Sequence, residues 1–471
     1  MALVDGSSMP QASNAGWGSL RQLNRYHWFV FFVVATAWMA DCMDQQLFVM
    51  ARQKAIRSLL PSELREDESK KEAFDKAVKD FSDITTSIFL IGWATGGLTF
   101  GVMGDRIGRV KTLKWTIILY SIFTGLSAFS TSVWDFALYR FLTGLGVGGV
   151  FAVAVALLAE TIPAQARPYT LGMLQSFSTV GNCSAGLLFI GLGNVDQESL
   201  KPLSAWQIMF LVGIVPAILV IFIQTRLKEP ESWLEAKRLQ REGKDHPRVG
   251  SYRDLFEDPR WRRHALLGAL LAFSGVVGLW GIGFFSTDLT QTVIRKSFTE
   301  QGMSPAEVDR QVMTWGGITG IVMNIGALFG MLSFSWLTNY TGRRIAFAIA
   351  FVAAAMSTIL VFWKLETKSD IFWMVPLMGF CQLALFGGYA IYLPELFPTR
   401  LRSTGTSFCY NVGRFVAAAG PLLLIPIRTY YKNEGFAEPQ RQAAMTMCSV
   451  FALGFVAIFF LPETKGKPLP E

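Results

Sequence analysis

Apolar runs of about twenty residues, empty or nearly empty of charge, recur from one end of this chain to the other. Ile84 to Met103, Thr112 to Ser130, Trp206 to Gln224, Ile345 to Trp363 and Ala443 to Leu461 are examples, and a full count gives about twelve. A helix needs roughly 20 mostly apolar residues to cross about 30 Å of hydrocarbon, so each run is long enough to span a bilayer. Of the 471 residues, 51% are hydrophobic and only 17% charged, with 38 Phe and 14 Trp. That surplus is too large for a soluble domain and must face lipid. The expectation is an all-α integral membrane protein.

The net charge of +8 does not mark a nucleic-acid partner, because no basic stripe lies outside the loops, where Lys and Arg orient a membrane protein. With a cytoplasmic N-terminus, the inner loops carry Arg106, Arg109 and Lys111, then Arg343 and Arg344, then Arg400 and Arg402. The C-terminus is then cytoplasmic as well, and the cell (inner) membrane is the expected location. The first outer loop, Arg52 to Asp80, runs against this pattern with its own Lys and Arg, balanced by acids such as Glu63, Glu66 and Asp75. No short apolar core with a small-residue cleavage site precedes helix one, so no removable signal peptide is expected. The five cysteines lie in apolar segments without metal or disulfide spacing. No phosphate-binding Gly-x-x-x-x-Gly-Lys loop is present, and no nucleophile, base and orienter group together. Neither an enzyme nor a cofactor is therefore expected.

Four pairs of segments repeat at an offset of about 232 to 235 residues. Gly101 to Arg109, after helix two, returns as Ser335 to Arg344 after helix eight. Glu160 to Arg167, after helix four, returns as Glu395 to Arg402 after helix ten. Val180-Gly181-Asn182 in helix five matches Val412-Gly413-Arg414 in helix eleven, and Glu229-Pro230-Glu231 matches Leu461-Pro462-Glu463. The chain thus reads as two six-helix bundles, residues 1–226 and 264–471, joined by a charged connector over 227–263. Parallel repeats with a solute site at the bilayer midplane are one established transporter architecture, which points to a secondary transporter acting on a small solute as a monomer.

The same residues resemble the major facilitator superfamily over nearly the whole chain. Gly101, Asp105, Arg106, Gly108 and Arg109 are similar to its Gly-x-x-x-Asp-Arg-x-Gly-Arg loop, and Pro230 to Ser232 and Pro462 to Gly466 resemble segments of sugar porters and their metabolite-transporting relatives. Asp41-Cys-Met-Asp44 in helix one, with Gly413-Arg414 and Gly420-Pro421 in helix eleven, resembles the aromatic-acid and related organic-acid:proton symporters, although Cys42 and Met43 depart from that pattern. The resemblance implies gating roles for the loop residues. Asp105 can accept hydrogen bonds from the N-terminus of a helix in the other half, where the dipole favours an anion, and with Arg109 it is expected to hold the outward-open state. In the second copy, Asn339, Gly342, Arg343 and Arg344, the neutral Asn339 should make a weaker latch. Glu160 with Arg167, and Glu395 with Arg402, are expected to form further ion pairs.

A charge in mid-span costs about 2.5 to 3.5 kcal/mol on insertion scales and is kept only where it meets a cavity or a partner. Asp41, Asp44, Arg140 and Arg414 fit that description. Asp41 and Asp44 are three residues apart, on one helix face, and two carboxylates in a low-dielectric site compete for ionisation. They are candidate proton-coupling acids with Arg140 as modulator; a fixed packing pair is the plainer reading. Arg414 can bind a carboxylate through two hydrogen bonds, which Lys cannot reproduce. Asn411 and the aromatics Trp280, Phe284 and Tyr389 are candidate solute contacts, with ordinary helix packing as the plainer reading. The expected activity is proton-coupled symport of a small carboxylate-bearing metabolite. A neutral-sugar facilitator or a drug:proton antiporter is the alternative.

Overall fold

A computed structural model describes residues 16–61, 71–193, 201–242, 249–417 and 420–470, and every regular element among them is helical. Helix one is Arg25–Leu59, helix two Lys71–Ile107, helix three Arg109–Ser127, helix four Val133–Thr161 and helix five Arg167–Gly193. Helix six runs from Ala205–Val212 through a tight turn at Val215–Ile218 into Leu219–Arg226, where Pro216 interrupts the regular bonding. Helix seven joins Pro259–Val276 to Gly283–Glu300 across a π-helical turn at Val277–Ile282. Helices eight, nine and ten are Pro305–Thr341, Arg343–Lys364 and Lys368–Glu395. Helix eleven comprises Arg402–Ala417 and Gly420–Asn433, and helix twelve Pro439–Met447 and Val450–Phe460.

Seven of these helices, helix twelve among them, pass on length and hydropathy as membrane spans. Helices three and five and the locally broken helices six, seven and eleven make up the other five, giving twelve spans in two parallel six-helix bundles. Between them lie a connector helix, Glu231–Glu242, and a short helix, Tyr252–Glu257. The expected outer loop from Arg52 to Asp80 is largely helical instead. Helix one continues to Leu59 and helix two begins at Lys71, because the charged stretches are rich in helix-forming Ala, Lys and Glu. Arg52 bonds Thr86 Oγ1 at 2.7 Å and Arg57 pairs with Asp75 at 2.6 Å. Residues 62–70 lie outside the described residues.

Glycines set how closely the spans approach. A methyl group on Gly96 would run into Leu145 O of helix four, and one on Gly330 into Phe380 O of helix ten. Gly92 and Gly326, one turn earlier, face Phe141 O and Pro376 O in the same way. Helices two and eight thus carry the small-xxx-small spacing that lets two membrane helices touch along their backbones. Between the bundles, helix two packs on helix eleven and helix five on helices eight and ten. The helix five and helix eight contacts run along the interface, from Gly172 beside Ser335 at the connector end to Ile190 beside Gly317 at the other. All five cysteines are free, and four are buried.

Candidate solute and gating site

Helix one places both carboxylates inside the first bundle, where Asp41 and Asp44 are fully buried. Asp41 Oδ2 accepts a hydrogen bond from Gln45 Nε2, one turn on, at 3.0 Å. Its other oxygen and both oxygens of Asp44 have no hydrogen-bond partner among the described residues. Arg140 reaches toward Asp44 from helix four, yet its closest approach is 3.9 Å. Its Nε and one terminal nitrogen donate instead to Ser127 Oγ, at 3.0 and 2.7 Å. The guanidinium also lies 4.7 Å from the ring centre of Phe210. Ser127 therefore holds Arg140 short of Asp44, and the terminal nitrogen that faces Asp44 makes no hydrogen bond among the described residues. Tyr120 of helix three sits within electrostatic reach of both aspartates.

Arg414 approaches the same region from the other bundle. One terminal nitrogen donates to Tyr410 O at 2.9 Å and to Asn411 Oδ1 at 3.0 Å, while Nε has no described partner. The guanidinium lies 4.0 Å from the ring centre of Trp93, on helix two, and 4.2 Å from that of Tyr410. Tyr410 in turn stacks on Phe151 of helix four at 3.9 Å. Asp41 interacts electrostatically with both Asp44 and Arg414. The structure thus brings Asp41 within electrostatic reach of Arg414 at the bundle interface, with Trp93, Tyr410 and Phe151 as aromatic walls, whereas Asp44 and Arg140 lie among Ser127, Phe136 and Phe210 inside the first bundle. Asn182, which the repeat aligns with Arg414, donates across the interface to Asn324 of helix eight at 3.1 Å.

Not every candidate arrives there. Tyr389 is fully buried within the second bundle, donates to Leu271 O at 2.9 Å and stacks on Phe347 at 5.6 Å. Its hydroxyl is spent on backbone and its ring on packing. Asn411 bonds Ser407 and Arg414 and presses on Gly97, so it orients the guanidinium. The side chains of Trp280 and Phe284 lie outside the described residues. Sequence reasoning missed Trp93, Gln45 and Ser127. A tryptophan wedged between Gly92 and Gly96 could have been noticed, whereas nothing in the sequence distinguishes Ser127 from neighbouring hydroxyls.

At the connector end, Asp105 is fully buried and caps helix eleven. It accepts from the backbone of Ser403 and Thr404, at 3.2 and 2.8 Å, and from Thr404 Oγ1 at 2.6 Å. Gly97, Gly101 and Gly104 let Asn411, Ser407 and Ser403 lie against helix two, and Ser407 Oγ donates to Gly97 O. Gly108, at φ 120°, turns the chain so that Arg109 folds back under Asp105. Arg109 is 3.0 Å from Asp105 and 2.9 Å from Glu160, and donates to Thr399 O of the other half at 2.8 Å. Arg106 donates to Gly250 O at 2.8 Å.

The ion pairs differ from the expected ones. Glu160 pairs not with Arg167 but with Arg109 and, across the interface, with Arg402 at 2.8 Å. Glu395 pairs with Arg343 at 2.9 Å rather than with Arg402, and also accepts from Thr464 at 2.5 Å. The reason is geometric. Gly342, at φ 86°, folds Arg343 back onto the end of helix ten as Gly108 folds Arg109 onto helix four. Asn339 is spent on Ser335 O of its own helix at 3.0 Å, and Arg344 bonds Phe459 O at 2.6 Å. Arg167 makes one weak bond, to Ile162 O at 3.5 Å.

Two parallel bundles, latched at one end and sharing buried charges of both signs between them, define a membrane transporter. Residues 22–421 match the family model of the Major Facilitator Superfamily, and the chain belongs to that superfamily. It is 30% identical over 382 residues to a putative metabolite transport protein of Haemophilus influenzae, covering 81% of this chain and 86% of that one. It is 26% identical to the niacin transporter NiaP of Acinetobacter baylyi, covering 95% and 96%. Among solved structures, a proton:xylose symporter bound to 6-bromo-6-deoxy-D-glucose superposes with a TM-score of 0.69 at 17% identity, over 94% of this chain and 98% of that one. The last likeness concerns the fold.

Proposed function

We propose that the protein imports a small organic acid together with protons by alternating access. The observation that carries this reading is Arg414, a buried guanidinium held from below by Tyr410 and Asn411 and flanked by Trp93. Such a group suits a carboxylate on a flat apolar body, since the charge takes the anion and the rings take the face. A relative that is a niacin transporter supports the choice, because niacin is a ring bearing a carboxylate. Asp41 and Asp44 carry the protons, with Asp41 exchanging its interaction with Arg414 for a proton when the solute arrives. Arg140 keeps Asp44 responsive without pairing tightly to it.

Residues 1–226 and 264–471 move as the two rocking units, with 227–263 as connector. The connector face is cytoplasmic and so are both termini, in the cell (inner) membrane. The latched connector end then corresponds to the outward-facing state, and the Asp105 contact is the gate that opens to release solute inside. The protein works as a monomer. A neutral-sugar facilitator would leave Arg414 and the two aspartates without a task.

The test is uptake of labelled aromatic and aliphatic carboxylates into proteoliposomes, with and without an inward proton gradient. Gradient-stimulated uptake of a carboxylate, abolished in both Asp41→Asn and Asp44→Asn, is expected. A gradient response that survives unchanged in both variants would sink the coupling assignment, and equal uptake of neutral sugars would sink the substrate class.

A further inference from the structure

The connector helix carries a feature that the solute site does not use. Between it and the end of helix two is a recess of about 460 Å³, lined by Arg106, Lys111, Lys237, Arg238 and Arg241 around Trp233. Five cations thus converge on one concavity. Among the described residues, Arg238 is the one of the five with an ion pair, to Glu235 at 2.6 Å and Glu242 at 3.6 Å. Burial first, and then the neighbouring Arg241 and Arg106, pull the ammonium of Lys237 below its ordinary value, so the cations of the recess repel one another.

A second observation gives the recess its setting. Ile107 and Leu234, also in its lining, and Leu239 on the same helix are large apolar side chains left exposed. A short helix with basic and apolar residues both outward, at the level where a span leaves the bilayer, fits the headgroup boundary. Trp233 anchors it from beneath, donating to Asp105 O at 2.6 Å.

We infer that this recess binds a phosphate-bearing anion, presented by the headgroup of an anionic phospholipid. The phosphate sits among Lys237, Arg241 and Lys111, and the glycerol and upper chain lie along Ile107 and Leu234. Because the recess joins helix two to the connector helix, whose Trp233 is bonded to the latch residue Asp105, a bound lipid ties these parts together and favours the latched state.

The test uses the full-length protein, delipidated in a neutral detergent and titrated with phosphatidylglycerol, phosphatidylcholine or inorganic phosphate. Lipid retention is read by native mass spectrometry and stability by thermal unfolding. Phosphatidylglycerol should be retained and raise Tm, while phosphatidylcholine should do neither. Each cation near an anionic surface contributes about five-fold in affinity, so the double variant Lys237→Gln and Arg241→Gln should lose roughly thirty-fold, and Lys237→Arg with Arg241→Lys should restore it. Equal retention of the zwitterionic lipid, undiminished binding in the glutamine variant, or loss in the charge-preserving variant would overturn the site. Inorganic phosphate that stabilises the protein and displaces the lipid at equal concentration would assign the recess to a soluble anion and overturn the lipid source.

Discussion

The four mid-span charges are handled in opposite ways, and the difference lies in single hydroxyls and rings. Arg140 is held by Ser127 and Arg414 by a backbone carbonyl, an amide and two aromatic faces. Removing the hydroxyl with Ser127→Ala frees Arg140 to close the remaining gap to Asp44. The expected result is a carrier that still exchanges solute for solute but loses most of its response to a proton gradient, because the acid is then locked in an ion pair. Thermal unfolding should show little gain, since a buried charge that loses partners costs about 1 to 3 kcal/mol. Full gradient-driven uptake in Ser127→Ala would remove Ser127 from the mechanism. Arg414→Lys should raise the apparent KM for a carboxylate roughly ten- to hundred-fold, since a point charge forfeits a charged hydrogen bond of about 1.5 to 3 kcal/mol. An unchanged KM would reassign that arginine to structure. The acids and Arg414 were legible in the sequence because a charge inside an apolar run has no innocuous explanation. Trp93 and Ser127 were not, because tryptophan and serine are ordinary in such runs and only packing shows which of them touch a guanidinium.

Among the helices, the repeat and the spans were legible as lengths and motifs, whereas the breaks were not. Periodicity cannot show that helix seven loosens into a π-turn at Val277–Ile282, nor that Arg109 and Arg343 turn back onto Glu160 and Glu395. Those pairings depend on the left-handed turns at Gly108 and Gly342, whose direction is invisible in one dimension. The glycine spacing is testable. Gly96→Ala or Gly330→Ala places a methyl into the backbone of the partner helix, and overpacking of that kind costs about 1 to 3 kcal/mol. Gly316→Ala, on the same helix as Gly330 but with open space around it, should leave Tm unchanged; equal losses at all three sites would dismiss the packing argument. Glu463 offers a pH test. Burial alone would raise its carboxyl, but the N–H groups of Arg343, Lys465 and Arg344 outweigh this and hold it below the ordinary glutamate value. A carboxyl lowered in the folded state stabilises above the unfolded value of about 4.3 and loses that contribution as pH falls through its folded value. Tm of the parent should therefore drop faster below about pH 4.3 than Tm of Glu463→Gln, which lacks the titrating group. Parallel curves would show that this cap contributes nothing to the acid response.

Across the whole molecule, the two copies of the loop motif make unequal contacts, and under the proposed cycle that inequality sets the bias. Asp105 reaches across the interface to cap helix eleven, whereas its repeat partner Asn339 donates to Ser335 O of its own helix. Likewise Arg402 crosses to Glu160, while Arg167 has no ion pair among those described and its repeat partner holds the bridge alone. Among the described residues, these charged bonds between the halves thus lie on the helix two and helix eleven side of the connector face, and helix five meets helix eight through neutral groups such as Asn182 and Asn324. A latch built on one side opens by losing a few strong bonds together. Asp105→Ala removes three acceptor contacts to helix eleven, and a charged hydrogen bond is worth about 1.5 to 3 kcal/mol. Since about 1.4 kcal/mol is a factor of ten, the population open at the connector face should rise by at least roughly ten-fold. Spin labels at Lys228 and Arg262, exposed positions at the ends of helices six and seven, would report it as a longer distance component in pulsed electron resonance. Asn339→Ala should leave that distribution as it is in the parent. If the two alanine variants shift it equally, the gate is symmetric and the bias must come from the solute site instead.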